Sequence, residues 1–261
     1  MRDTLFLIVA VLLSASCNRS VNQKFAELDR DLKRADTYME SFRHRADSLE
    51  HEITESLPDS LKWNLCYDLF SSFIHINLDS TLYYCNELER YASNEDLAAR
   101  TVACRLNCLR LSGKIKDMAS LAEEIDVSKV SPGFLSDYYF HLQRAFDRVY
   151  DSLAVKYIHE SISNPNVSQM MKARMRGLLC IRAKDFEGTL EQFRIVYDNA
   201  GTYHMKAMAS FNLSRTYQKI NDEENAIYWM TEAAINDIKA PCKEYASLPE
   251  LSMMLIQTNR Y

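Results

Sequence analysis

Glycine and proline are the residues this chain is short of. It has five of each in 261 positions, where an average chain of that length would hold roughly 18 and 13. That scarcity removes whole fold classes, because tight β-hairpins, dinucleotide-binding turns and phosphate-cradling loops all consume glycine where the backbone needs positive φ or closes on a ligand. Helix is what remains. A basic block is also missing, and 31 basic against 36 acidic residues leave a formal charge of −5, so this segment lacks the electrostatic footprint of a nucleic-acid binder. The six histidines (His44, His51, His75, His141, His159, His204) are scattered, with no HExxH, no glycine-flanked serine and no recognisable acid pair. Catalysis needs convergent groups. The expectation is a non-enzyme with no cofactor and no metal.

The first seventeen residues read as a leader. Arg2 and Asp3 precede an apolar run from Leu5 to Leu13, and Ser14-Ala15-Ser16 lead into Cys17. The run is too short to span a bilayer, which takes about 20 residues. It has the form of a lipoprotein signal, residues 1–17, with Cys17 as the lipidation site. The expected location is the cell envelope, with the chain exported, membrane-anchored and facing the periplasm. Cysteines in an exported chain invite disulfides, but Cys66, Cys85, Cys104, Cys108, Cys180 and Cys242 show no framework spacing and are expected as helix-packing residues. Cys104 and Cys108 lie one turn apart, half of a metal site with no second half in the sequence.

From Phe25 onward, apolar residues fall at Leu28, Leu32, Ala35, Met39, Phe42, Ala46, Leu49 and Ile53, in alternating steps of three and four. This heptad stripe predicts one long helix over 22–56. Its seam can pack on the helices that follow or make a homodimer. Paired helices then recur, and a small or apolar residue near the start of each second helix sets the register: Leu82, Ala119, Ala154, Thr189 and Ala226. A period of 35 to 37 residues with two helices per unit is the pattern of tetratricopeptide-like repeats, in which each hairpin buries its apolar face only by stacking on neighbours. The expected fold is all-α: the long helix, then hairpins over 58–240 forming a right-handed α-solenoid.

The last complete unit shows the pattern best. Leu213, Ser214 and Tyr217 stand on its first helix, Ile220 to Glu223 make the turn, and Ala226, Met230 and Ala233 follow. The unit before it has Gly177, a turn from Lys184 to Glu187, and Phe193. Turn chemistry also marks Pro58-Asp59, Asn77 to Asp79, Gly113, Ser131-Pro132-Gly133, Asn164-Pro165-Asn166, Asn199 to Thr202 and Pro241. Pro249 lies inside a helical stretch and should kink or delay that helix. One further period past Ala226 runs beyond Tyr261, so 241–261 reads as half a repeat. The expectation is a chain cut from a longer protein.

Several segments carry a family resemblance: Trp229 to Ala240 with Lys243 to Leu248, the opening helix with Leu28, Tyr38 and Leu49, Phe73 with Asp79-Ser80, Leu82 and Tyr84, and Tyr138-Tyr139. Together they resemble a family of Bacteroidetes tetratricopeptide-repeat envelope proteins that carry a domain of unknown function and are labelled as regulators. The resemblance implies a helical-repeat sensory region outside the cytoplasmic membrane, then a transmembrane helix and a regulatory segment inside. This sequence stops before such parts. It also has Pro249 where the family usually has a polar, helix-compatible residue.

If the repeats bind a partner, the first helix of each pair lines the concave face. The register exposes Arg174 and Arg182 in one repeat and Asn212, Arg215, Gln218 and Lys219 in the next, a basic polar strip suited to an acidic peptide or a terminal carboxylate. The expected function is a non-catalytic module that binds a protein or peptide. Alternatives are a structural lipoprotein that oligomerises through its N-terminal helix, and a glycan-capture lipoprotein, although two tryptophans supply few aromatic platforms. Asp-Ser pairs at Asp47-Ser48, Asp59-Ser60, Asp79-Ser80 and Asp151-Ser152 resemble the O-glycosylation signal of exported Bacteroidetes proteins. Helix capping also accounts for such pairs.

Overall fold

A helix forms readily where a capping side chain precedes residues that recur every three or four positions, and five helices of this chain begin in that way. The computed structural model describes residues 21–74, 76–240 and 246–258. Among the described residues there are thirteen α-helices and no strand. They are α1 (21–32), α2 (Ala35–Glu52), α3 (Asp59–Phe73), α4 (Leu78–Tyr91), α5 (Glu95–Leu111), α6 (Ile115–Ala122), α7 (Leu135–Phe146), α8 (Asp151–Ser163), α9 (Gln169–Ala183), α10 (Phe186–Asn199), α11 (Tyr203–Lys219), α12 (Glu223–Lys239) and α13 (Ser247–Gln257). Two single 3₁₀ turns, Val127–Lys129 and Pro132–Phe134, stand between α6 and α7. No described helix is long and apolar enough to cross a membrane.

Two compact units result. A middle unit holds Ser41–Leu179, and a terminal unit combines Met1–Glu40 with Cys180–Tyr261. In the middle unit α3 packs on α4, α5 on α6 and α7 on α8, while α5 and α7, first helices of successive hairpins, lie side by side. In the terminal unit α10, α11, α12 and α13 pack in sequence order. The hairpins are those expected of an all-α repeat.

The turns repeat a two-residue device. Lys184 and Asn221 take left-handed φ values of 58° and 59°, and the next residues, Asp185 and Asp222, cap α10 and α12 by accepting from the amides of Gly188 and Asn225. Asn77 caps α4, Asn94 caps α5 and Thr202 caps α11 in the same way. A left-handed residue ends one helix and an acceptor side chain starts the next. Gly113, with φ +69°, ends α5 without the penalty that a Cβ would bring.

Three expectations need adjustment. The helix expected over 22–56 is two helices, broken at Lys33-Arg34. The stripe itself is used: Val21 and Leu28 are buried in the terminal unit's core with Tyr217, Ala226, Met230 and Leu251, while Ala46 is buried in the middle unit's core with Trp63, Leu69 and Phe70. Leu32, between them, is exposed. The second unit's register residue is Met118, fully buried, where Ala119 was expected and is exposed. Pro249 does not delay its helix: α13 begins two residues before it, so the missing N–H falls in the first turn, where it has no intrahelical partner to lose.

Candidate binding surfaces on the first helices

In the middle unit the first helices build a polar centre walled by aromatics. Trp63, Tyr67 and Phe70 form a stripe at helical spacing on α3, and Arg100 projects from α5 among them. Its guanidinium lies 3.6 Å from the ring centre of Phe134, 4.2 Å from that of Trp63 and 5.2 Å from that of Tyr67. Asp96, one turn earlier, pairs with it at 3.7 Å. Aromatic faces attract the cation where water is excluded. Burial pulls the Arg100 pKa down, and Tyr67 and Asp96 oppose that pull. The indole N–H of Trp63 donates to Thr101 Oγ1 at 2.9 Å, and that hydroxyl donates to the Leu97 carbonyl at 2.8 Å.

His141 on α7 lies against this centre. Its Nε2 shares a 3.1 Å hydrogen bond with the Tyr67 hydroxyl, and the Asn107 amide donates to the His141 carbonyl at 2.9 Å. Burial pushes the His141 pKa down to about 3, and Arg144 and Arg100 push the same way. The imidazole is neutral at physiological pH. Tyr67, Arg100, Ala103, Asp137, Tyr138 and His141 line a small cleft, partly open to solvent. Burial pushes the Asp137 carboxyl up against the pull of Arg100. The buried Tyr138 hydroxyl has no hydrogen-bond partner among the described residues. The space in the cleft is about that of one water molecule. The i, i+4 aromatic pair Trp63 and Tyr67 was the sequence signal for this centre, but nothing in the sequence joined it to Arg100.

In the terminal unit the expected strip on α11 divides by environment. Arg215 is exposed and pairs with Glu250 of α13 at 3.3 Å, while also reaching Gln218 Oε1 at 3.4 Å. Lys219 is exposed in the last turn of α11, and Gln218 is half-buried. Asn212 is half-buried too, its amide donating back to the Met208 carbonyl at 2.8 Å. Arg182 is exposed at the end of α9. Arg174 differs from expectation: it is 5% exposed and stacks 4.7 Å over the Phe140 ring. It belongs to the middle unit and Arg182 to the terminal one. Arg174 is therefore a packing residue, because its long aliphatic stem and flat head cover an aromatic face. Cys17, the remaining candidate, lies outside the described residues.

One polar cluster had no sequence signal. Lys24 on α1 meets Glu232 of α12 at 2.5 Å and Glu27 at 3.0 Å, and Lys239 of α12 meets Glu27 at 3.2 Å and Asp31 at 3.1 Å. Tyr197 donates to Glu232 at 2.5 Å. Burial lowers the Lys24 pKa, but Glu232 and Glu27 more than reverse that, leaving it at about 12. These pairs fasten α1 to a helix some two hundred residues away in sequence.

Compared with known proteins, the chain matches the model of the SusR N-terminal TPR domain over residues 32–261. No curated protein and no solved structure matches it. Helical hairpins at the tetratricopeptide period, built with a recurring turn device and matched across almost their whole length, place this chain in the family of SusR N-terminal tetratricopeptide-repeat domains.

Proposed function

We propose that this repeat domain captures a peptide or protein partner on the concave face lined by its first helices and is the sensory part of an envelope regulator, held at the membrane through Cys17. Domains of this repeat type are protein-interaction modules. The observation that carries the reading is the division of α11: Ala207, Ser210, Leu213, Ser214 and Tyr217 are buried, while Arg215 and Lys219, one turn apart, are exposed. Packing uses one face and leaves a cationic one. Guanidinium and ammonium groups at that spacing suit successive carboxylates, or one side chain and a chain terminus. The leader and the resemblance to envelope regulators support the location and the sensory role.

Calorimetric titration with hexaglutamate peptide, as free acid and as C-terminal amide, tests the surface. Binding at low salt should weaken at least tenfold in a double variant with Arg215→Ala and Lys219→Glu. Equal affinity for the double variant and the natural chain would sink the strip. Weaker binding of the amide than of the free acid by the natural chain would point to a carboxyl terminus as the preferred ligand group.

A further inference from the structure

The terminal strip and the Arg100 centre leave one group of reactive side chains unused. Cys66, Cys85, Cys104 and Cys108 are all buried in a single core cluster of the middle unit. The register of α4 against α5 is fixed independently of these thiols: Arg105 Nη1 donates to Asn86 Oδ1 at 2.9 Å, and Arg105 Nε pairs with Glu89 Oε1 at 3.3 Å. In that antiparallel register, Cys85 on α4 falls opposite Cys108, one turn along α5 from Cys104. The Cys85 and Cys108 thiols are near enough for each to shift the other's ionisation, and the Arg105 charge acts on Cys85 as well. The Cys108 thiol and the Arg105 charge hold the Cys85 thiol below its ordinary pKa against the opposing effect of burial. Cys104 is pushed well up, chiefly by burial. Of the three, Cys85 is the one beside Asn86, the residue that the Arg105 cation holds, and a neighbouring cation favours the thiolate.

We propose that Cys85 and Cys108 are a disulfide pair that staples the first hairpin to the second. The co-reactant is a disulfide, either of a small thiol such as glutathione or of an exchange protein. Cys85 thiolate attacks one sulfur of that disulfide and releases the first thiol, forming a mixed disulfide at Cys85. Cys108, giving its proton to solvent, then attacks the Cys85 sulfur and releases the second thiol. Two cysteine thiols are oxidised and one disulfide is reduced to two thiols, with two electrons and two protons passed over. Both cysteines are fully enclosed, so the exchange takes place as the chain folds or when α4 lifts from α5. The linkage would bridge the loop Ala92–Asn94, at which the second hairpin is appended to the first.

The test holds the purified chain in glutathione buffers of graded redox poise until its free-thiol content is constant, then traps thiols by acid and alkylation and maps tryptic peptides. Trypsin places Cys85 in 63–90, Cys104 in 101–105 and Cys108 in 106–110. The expected product links 63–90 to 106–110, with fragmentation placing the bond at Cys85 and leaving Cys66 alkylated. Cys104→Ala should keep that link and Cys108→Ala should abolish it. A chain that stays fully reduced at the most oxidising poise overturns the proposal. So does a product in which 63–90 is joined to 101–105, or in which the bond falls at Cys66.

Discussion

The two units reach a dry interior by opposite means. The hairpin α11–α12 of the terminal unit is built on small residues: Ser210, Ser214, Ala226, Ala233 and Ala234 are all fully buried, and the Ser214 hydroxyl donates across to the Ala226 carbonyl at 2.6 Å. Backbones that approach so closely leave no room for larger side chains. The middle unit is filled by bulk, with Trp63, Phe70, Tyr138 and Phe146 among its fully enclosed side chains, and it encloses a cation and an imidazole as well. Polar groups follow the same division. The terminal unit joins Lys24 and Lys239 to carboxylates across α1 and α12, whereas the middle unit surrounds Arg100 with three rings besides its pair with Asp96. Truncation should therefore wound the middle unit, and enlargement the terminal one.

The largest effect is expected from Trp63→Ala. It opens a cavity in the middle core, takes the donor from Thr101 and removes one aromatic face from Arg100. A fully buried tryptophan of this kind is worth about 3–5 kcal/mol. Hydrogen exchange followed by mass spectrometry scores each unit separately, and protection should fall across α3, α5 and α7 while α11 and α12 keep theirs. Uniform loss in both units would mean that they do not unfold as the separate bodies their packing describes.

Ala226→Leu is the complementary variant, with an expected cost of about 1–3 kcal/mol from overpacking. A leucine at 226 cannot fit where Ser214 already touches the backbone, so α11 and α12 must part. Exchange should then rise on those two helices, with α3 and α5 unaffected. If Ala226→Leu costs less than about 0.5 kcal/mol, the small-residue seam is not what sets the spacing of this hairpin.

How much of this was readable beforehand follows from the same contrast. The small-residue hairpin was legible because its signal is local: Ser214 and Ala226 lie twelve residues apart around a turn whose Asn221 and Asp222 announce themselves. The first-helix and second-helix order could be counted from such positions. Met118 for Ala119 was a slip of one, in a helix of eight residues too short for periodicity to fix its face. The break at Lys33-Arg34 was hidden because a heptad stripe records that residues are buried, not in which core. The Arg100 centre and the α1–α12 pairs were out of reach for a further reason. Arg100 meets Trp63 at a separation of 37 positions, and Lys239 meets Glu27 at one of 212. Pairing at that range depends on tertiary register, which no spacing within one helix encodes.

The smallest expected effect separates the units by acidity. His141 has its folded pKa at about 3 and an ordinary value of 6.5, so on acidification the unfolded chain takes up the proton first. Stability from the neutral ring is thus complete above about pH 6.5 and drains away as pH falls toward 3, by roughly 1.4 kcal/mol at pH 5.5. Glu27 in the terminal unit has a lowered carboxyl pKa despite the burial that opposes it, held there by Lys24 and Lys239. Its contribution is lost only as pH drops below the ordinary carboxylate range, so mild acid leaves it intact. Asp137 and Asp68, both raised chiefly by burial, act against His141 within the middle unit, since a raised carboxyl gains as pH falls. A His141→Gln variant isolates the imidazole from them. Urea unfolding of the natural chain and of that variant at pH 7.5 and 5.5, read by exchange on α7, should show the natural chain softening and the variant holding or gaining. Equal softening in both would put the acid response elsewhere in the middle unit and remove His141 from the comparison.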